Sequence, residues 1–555
     1  MSAFKFLNKE YTIAGEGFNR WMVPASALMI HLCVGMGYGM SVFWLPMSRI
    51  IGTAQGTGKP LACPADMNIL AQLFTTSCDW RVVMPAVIFS ILFFMLGVTT
   101  AIFGNWLEHE GPRKCGMASC VCFVSFFLLT SVAMYFHQLW LAWIGAVIGG
   151  IGLGLGYITP VSTLIKWFTD RVGMSTGFAV GGFGGGAMVG APFAQTLMNL
   201  YATPTTTGLW QTFLTMAIIY CVFMILGAFT IRVSPPGWLP KGFVPKNTGN
   251  MVDDGHGGLI EASAFNVETN RSMKTPQFWC CWGMLFLNVS AGIGVISMAS
   301  PMLQEIFAGN LINLPGVPFD QLNDVQRGQV AMIAAGFTGL LSLFNIGGRL
   351  FWASLSDIIG RKMTYFIFFL GGAALYASIP TLAASLNLVL FLCAVCICLT
   401  FYGGGFATIP AYLADLFGTQ YVGAIHGRLL TAWSSAGLIS PLIINIIRDT
   451  QINAGVPRAQ AYSVTLYIMA IFLIIGFICT VLVRPVHSKY YMSDEELAAS
   501  KAKLDDKIAA AQESGALPAT KPTSAGALVI SWLIVGIPLA YGTWQTILQT
   551  MKMFM

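Results

Sequence analysis

Residues 104–114 read GNWLEHEGPRK and residues 353–362 read ASLSDIIGRK. Each segment sets an acid three residues before a glycine, and a basic pair follows. The first copy has Glu108, Gly111 and Arg113-Lys114, beginning at Gly104; the second has Asp357, Gly360 and Arg361-Lys362. The two acids are 249 positions apart. Glycine permits a sharp backbone turn. A carboxylate near helix ends can cap an N-terminus or pair with a basic group. Both segments join long apolar runs, so the chain reads as one unit used twice, with the charged turns on one membrane face.

The runs around these turns support that reading. Of 555 residues, 56% are hydrophobic and 9% charged, against roughly 25% charged in an ordinary soluble domain. Mean hydropathy is +0.71. Such a composition excludes a soluble multidomain protein, a disordered chain, a nucleic-acid binder and a small disulfide scaffold. Crossing a bilayer takes about 20 mostly apolar residues. Twelve stretches qualify before residue 485: 22–47, 82–106, 116–136, 139–165, 174–200, 209–231, 277–303, 329–355, 364–385, 388–412, 421–446 and 461–483. A thirteenth uncharged run extends from Gly526 to Met551; it either spans or lies along the bundle. The sixty glycines fit helices packed closely in lipid.

The expected fold is an all-α membrane protein of two six-helix bundles plus an extra C-terminal transmembrane segment. Residues 1–231 form the first bundle, 232–276 a cytoplasmic linker and 277–484 the second bundle. Residues 485–525 form a cytoplasmic tail and 526–555 the added hydrophobic segment. Within the tail, Asp494 to Gln512 has the composition of a short solvated helix. Lys and Arg bias sets orientation. With the N-terminus inside, 20 fall on cytoplasmic segments and 7 outside, leaving Arg349 and Arg428 within spans. Cys63 and Cys78 share the long outer loop and are either a disulfide or two free thiols. Cys393, Cys396 and Cys398 lie mid-span without acidic or histidine partners, so no metal site is expected.

The paired turn resembles the loop signature of the major facilitator superfamily. Glu108, His109, Pro112 and Ala353 depart from its usual pattern. The resemblance implies two pseudo-symmetric halves that rock about a midplane site, with Gly104, Glu108, Gly111, Arg113, Asp357, Gly360 and Arg361 acting in gating. Further stretches resemble the oxalate/formate antiporter family, which is related to the monocarboxylate transporters. These are 149–160 (GGIGLGLGYITP), 177–186 (GFAVGGFGGG), 348–352 (GRLFW) and 427–433 (GRLLTAW).

Charge placement gives an independent line. A central Arg costs about 2.5–3.5 kcal/mol on insertion scales and usually faces a cavity. Arg349 lies eight residues before Asp357, roughly 12 Å inside at 1.5 Å per residue. Arg428 lies seven residues past Tyr421, about 10 Å inside by the same rise, unless its side chain snorkels to the surface. All 23 acids fall in loops, tails or span ends. Buried cations without anions point to an anionic ligand, and a guanidinium matches a carboxylate well.

In the family resembled, an Arg on span eight and, in one member, a Lys on span eleven hold substrate. Arg349 matches the first, but Trp433 stands at the second position. A dianion would use two cations, a monoanion one. Proton-coupled relatives carry Asp where this chain has Asn345, which cannot titrate. His31 is the mid-span candidate for a proton site. Tyr38, Tyr157, Trp352, Tyr402, Phe406 and Trp433 are the aromatic candidates to wall the site.

The expectation is therefore a non-enzymatic carrier that exchanges small carboxylates such as oxalate and formate. A proton-coupled lactate- or pyruvate-type symporter is the alternative, and a carrier-like sensor a weaker one. No cofactor, metal or nucleic acid is expected. The partners are a small organic anion and the bilayer, and the protein is expected as a monomer in a bacterial inner membrane with its N-terminus cytoplasmic.

Overall fold

The computed structural model describes residues 5–552, except 58–59, 65–66, 169–171, 236–237, 239, 241–250, 254–258, 262–265, 419–420, 494, 497–498, 500–501 and 503–521. The tail helix expected over Asp494 to Gln512 lies largely outside the described residues. Thirteen long helical segments carry the architecture. The first half contains α1 (Met22–Val34), α2 (Val83–Glu110), α3 (Pro112–Phe136), α4 (Leu139–Trp167), α5 (Val172–Tyr201) and α6 (Leu209–Thr230). The second contains α7 (Pro276–Ser297), α8 (Asp324–Ile359), α9 (Arg361–Ala384), α10 (Leu388–Phe417), α11 (Thr431–Asn453) and α12 (Ser463–Leu482). The added helix is α13 (Ala525–Lys552). Among the described residues, twelve helices are long and apolar enough to cross a membrane, α13 included. In the connection between the halves, Met251–Asp253 and Leu259–Glu261 pair as an antiparallel hairpin.

The duplicated turn has nearly the same backbone in both copies. Gly111 sits at φ 90°, ψ 167° between α2 and α3, and Gly360 at φ 86°, ψ 149° between α8 and α9. This region is essentially restricted to glycine. Arg361 then pairs with Asp357 at 2.5 Å and approaches Asp415 of α10 at 3.5 Å. In the first copy Arg113 donates to the main-chain oxygens of Phe6 at 2.8 Å and Phe229 at 3.4 Å. The Glu108 side chain lies outside the described part.

Other helix starts follow local chemistry. Asn323 and Gln326 form a reciprocal capping box at the head of α8. Thr275 caps α7, with Pro276 in its first turn. The helices outrun the apolar windows: α8 begins at Asp324 rather than near 329, because a polar turn outside lipid can remain helical. The first span is not one continuous α-helix. After Val34 it tightens into a 3₁₀ segment, Gly35–Phe43, before Trp44–Met47. A side chain at Gly35 would strike the backbone of Phe183 and Gly186 on α5, so this tight segment lies directly on α5.

Large apolar residues face outward. On α12, Ile471, Ile474, Ile475 and Ile478 are exposed at helical spacing, an outer face suited to lipid rather than water. The halves meet along two seams. On one, Ser434 of α11 donates to the Phe94 oxygen of α2, and Gly437 abuts Phe93. On the other, Ser342 of α8 donates to the Gly184 oxygen of α5. α13 lies across this second seam. Its Gly542 touches Met188 and Val189 of α5, its Thr546 and Gln549 meet Gly339 and Gly336 of α8, and Trp532 donates to the Trp21 oxygen at 3.1 Å.

Candidate functional site

Arg349 is fully buried where the second seam meets the middle of the bundle. Its Nε donates to Asn345 Oδ1 at 2.9 Å, one helical turn earlier. Its Nη1 donates across the seam to the Val180 oxygen of α5. Its carbon Cζ stands 5.5 Å from the ring centre of Phe406. The remaining terminal nitrogen, Nη2, is buried without a hydrogen-bond partner among the described residues. No described carboxylate pairs with this cation.

Aromatic rings from both halves close around it. Tyr38 from the 3₁₀ segment stacks on Phe93 of α2 at 5.3 Å and meets Phe183 of α5 edge-on at 5.0 Å. Tyr157 of α4 meets Phe183 at 5.3 Å and Trp433 of α11 at 5.1 Å. Trp433 packs against Phe406 of α10 at 4.6 Å, and Phe406 against Tyr402 at 5.3 Å. A hydrogen bond of 2.6 Å joins the Tyr38 and Tyr402 hydroxyls across the halves. Arg349 interacts electrostatically with Tyr38, Tyr157 and Tyr402.

Two more donors in this region lack acceptors among the described residues: Asn345 Nδ2 and Trp433 Nε1. Leaving a buried donor unmade costs about 1–3 kcal/mol, and more for a charged group. Arg349 and Trp433 both lie against the Phe406 ring, and Asn345 is hydrogen-bonded to Arg349 one turn away. A void lined in part by Tyr38, Ser342 and Asn345 measures about 10 Å³, near the minimum for one water. The centre is thus occluded, a polar spot inside an aromatic cage.

Not every residue singled out from sequence comes here. Arg428 does not: it lies near the charged-turn end of the bundle and donates to Asn270 Oδ1 at 2.7 Å. The span-depth estimate for Arg428 is therefore corrected. The chain is helical only to Leu429 and resumes at Thr431, and the long side chain reaches back to the segment before α7. Trp352 also turns away, donating to Thr400 at 3.2 Å and packing on Phe368 and Phe401. His31 is buried behind Tyr157, with Nε2 3.2 Å from the Tyr157 oxygen. Phe93 and Phe183 were missed. Phe183 is the one large side chain within 181–186 (GGFGGG), a usable signal; Phe93 sits in an uninterrupted apolar run that offers none.

A second buried cluster lies at the opposite end from the charged turns. Arg448 of α11 and Arg458 both bind Glu305, the latter at 3.0 Å, and Tyr462 donates to Glu305 at 2.6 Å. Burial pushes the Glu305 carboxyl up, but Arg448, Arg458 and the Tyr462 hydroxyl together hold it below the usual carboxylate range. Near this end Cys63 and Cys78 are joined as a disulfide.

The duplicated turns, the two six-helix halves and a buried centre between them define a membrane carrier. The chain belongs to the Major Facilitator Superfamily, whose family model matches residues 27–441; it is a transporter and not an enzyme. It is 26% identical to the oxalate:formate antiporter of Oxalobacter formigenes over 356 residues, 63% of this chain and 72% of the relative. It is 27% identical to YhjX of Escherichia coli (strain K12), an uncharacterized transporter of the superfamily, over 63% of this chain and 75% of the relative. Mouse monocarboxylate transporter 12 is 24% identical over 58% of this chain and 63% of its own length. A bacterial homolog of the human lysosomal transporter Spinster, solved inward-facing and unoccupied, shares the fold. Its TM-score is 0.58 at 13% identity, covering 87% of this chain and all of that one.

Proposed function

We propose that this transporter carries small carboxylate anions and exchanges one for another, with Arg349 as the ligand cation. The observation that carries this reading is the unfilled Nη2 of Arg349, together with unfilled donors on Asn345 and Trp433. A carboxylate has acceptor lone pairs only, so it complements these three unfilled donors. Phe406 and Trp433 supply apolar walls, and the Tyr38 and Tyr402 hydroxyls can adjust to either ligand size. Similarity to an oxalate:formate antiporter supports the substrate class. Exchange rather than proton symport is favoured by Asn345 beside the cation, where a titrating acid would be needed, and by His31 lying behind Tyr157.

The same reading places the charged turns in the cytoplasm. Twenty Lys and Arg on that side against seven on the other support it, and the disulfide near the far end suits an oxidising exterior. The expected setting is a bacterial inner membrane. The two halves would rock about Arg349, with Gly104, Glu108, Gly111, Arg113, Asp357, Gly360 and Arg361 in the gating turns.

The test is counterflow in liposomes containing the purified protein and unlabelled oxalate. Labelled oxalate, formate, lactate and pyruvate are offered outside, with and without a pH gradient. Uptake that needs internal carboxylate, ignores the gradient and vanishes in Arg349→Ala is the expected result. Gradient-driven uptake into empty liposomes would replace exchange with symport. Full activity in Arg349→Ala would remove Arg349 from the site.

A further inference from the structure

At the disulfide end of the bundle, the halves enclose a chamber of about 400 Å³ that shares no lining residue with the aromatic cage. Five arginines line it: Arg49 and Arg81 from the first half, and Arg327, Arg448 and Arg458 from the second. Seven Lys and Arg are assigned to this side of the membrane. Five of the seven therefore converge on one space, although they come from three separate outer segments.

The neutralising acids are unevenly placed. Glu305, Asp320 and Asp449 all belong to the second half. They are taken by Arg448 and Arg458 through contacts at 2.8–3.0 Å and one shorter. The first half supplies Asp79, but its carboxylate is filled by the backbone N–H groups of Ile51, Gly52 and Leu61 at 2.7–2.9 Å. Arg49 is left with Asp324 at 3.8 Å, whose side chain is 61% exposed and is also approached by Arg327 at 4.0 Å. Arg81 forms no contact ion pair among the described residues, its charge acting at longer range on Asp449 across the chamber. The Nε atoms of both Arg49 and Arg81 are buried without partners. Burial pushes the Arg49 guanidinium down from its usual range; Asp324 opposes this and Arg327 adds to it.

We propose that this chamber is a second anion site, in which Arg49 and Arg81 hold a small carboxylate outside the occluded cage before it reaches Arg349. Two arginines on one wall, with no free carboxylate on that wall, present forked donors to the chamber. The space exceeds a small carboxylate several-fold, so the anion keeps part of its water shell. That makes the site a weak, salt-sensitive capture point rather than a specificity filter. The lining carries five arginines against Asp320 and Asp449. An excess of one sign of charge in a cleft raises the local concentration of an oppositely charged ligand and its on-rate, by up to about 10–10³-fold where one sign alone lines it. The identity of the anion rests on the carboxylate reading above; its sign rests on the arginines alone.

The experiment is calorimetric titration of potassium oxalate, then potassium sulfate, into the full-length protein in detergent, using Arg349→Ala to remove the central cation. Residual binding is expected in Arg349→Ala. It should fall at least about tenfold when Arg49→Gln and Arg81→Gln are added, return in part with Arg81→Lys, and weaken on raising salt. Size-exclusion profile and melting temperature check that each variant is folded. In liposomes, Arg81→Gln should raise the external half-saturation for oxalate more than it lowers the maximal rate. Absence of residual oxalate and sulfate binding in Arg349→Ala overturns the chamber site, as does binding that ignores Arg49→Gln and Arg81→Gln. If the wild type exchanges no carboxylate but the Arg81-dependent binding persists, the substrate reading fails and the chamber stands. If Arg349→Ala abolishes exchange while the chamber variants alter neither binding nor half-saturation, the chamber fails and the substrate reading stands.

Discussion

Arg349 of α8 donates a hydrogen bond to the main-chain oxygen of Val180 on α5, so this buried cation is a tie between the two halves. Under the proposed function Arg349 has two calls on its donors, substrate and seam. Any motion that parts α5 from α8 must break the Val180 bond, and an anion can take over that donor. This links occupancy to rocking through a single side chain.

Arg349→Lys should separate charge from shape. A lysine keeps the cation but has no planar fork to serve Asn345, Val180 and a ligand together. Exchange in liposomes should drop by about tenfold or more, equivalent to roughly 1.4 kcal/mol, while Arg349→Ala should abolish it. Equal activity in Lys and Arg proteins would show that the fork is not used.

The two charged turns should respond unequally to the same change. Both Gly111 and Gly360 have backbone angles restricted to glycine, so either Ala variant incurs strain of about 1–3 kcal/mol. A Cβ at Gly111 would also meet Lys9 at 2.9 Å, whereas at Gly360 it meets nothing within 4 Å. Melting in detergent should fall further for Gly111→Ala than for Gly360→Ala.

Helix α13 offers a matched pair. A Cβ at Gly542 would meet the Met188 oxygen and Val189 Cα of α5 at 2.9 Å, while Gly536 faces open space. Gly542→Ala should destabilise the protein by about 1–3 kcal/mol through overpacking. Gly536→Ala should be neutral or stabilising by up to about 1 kcal/mol, because alanine is the better helix former. Thermal melts of the two single variants check this, and equal behaviour would mean that α13 does not seat on α5 as described.

The Glu305 cluster sets a pH dependence. Its folded carboxyl is held below the usual range by Arg448, Arg458 and Tyr462 despite burial. A depressed acid contributes stability above its unfolded value, about 4.3, and loses it as pH falls through the folded value. Glu305→Gln leaves buried Arg448 under-paired, which costs about 3–5 kcal/mol. Melting at pH 7 should fall sharply in Glu305→Gln, and the gap to wild type should narrow only below the ordinary carboxylate range. A gap that closes between pH 6 and 7 would assign the effect to another group.

Much of the fold was legible because membrane helices write themselves in long apolar runs and charged turns. Gly111 and Gly360 could be placed at tight turns from spacing alone, and Arg349 stood out as a cation in an apolar run. Arg428 misled for the same reason that Arg349 did not. Depth along a helix is readable, but a long side chain can return to the surface, and a break near Leu430 leaves no mark in hydropathy. Arg448 was placed beyond its span, yet α11 continues to Asn453 and buries it against Glu305.

The sequence by itself determined the class of fold, the duplication and the placement of Arg349 as a cation inside an apolar span, because insertion into lipid depends on local composition and charge. Only the tertiary structure decided which rings surround Arg349, that Trp352 turns away while Phe93 and Phe183 turn in, and that α13 crosses the α5–α8 seam. Those relations join residues up to hundreds of positions apart. They depend on which face each helix presents, and in lipid nearly every face is apolar, so hydropathy cannot distinguish a lipid-facing phenylalanine from one that walls the site.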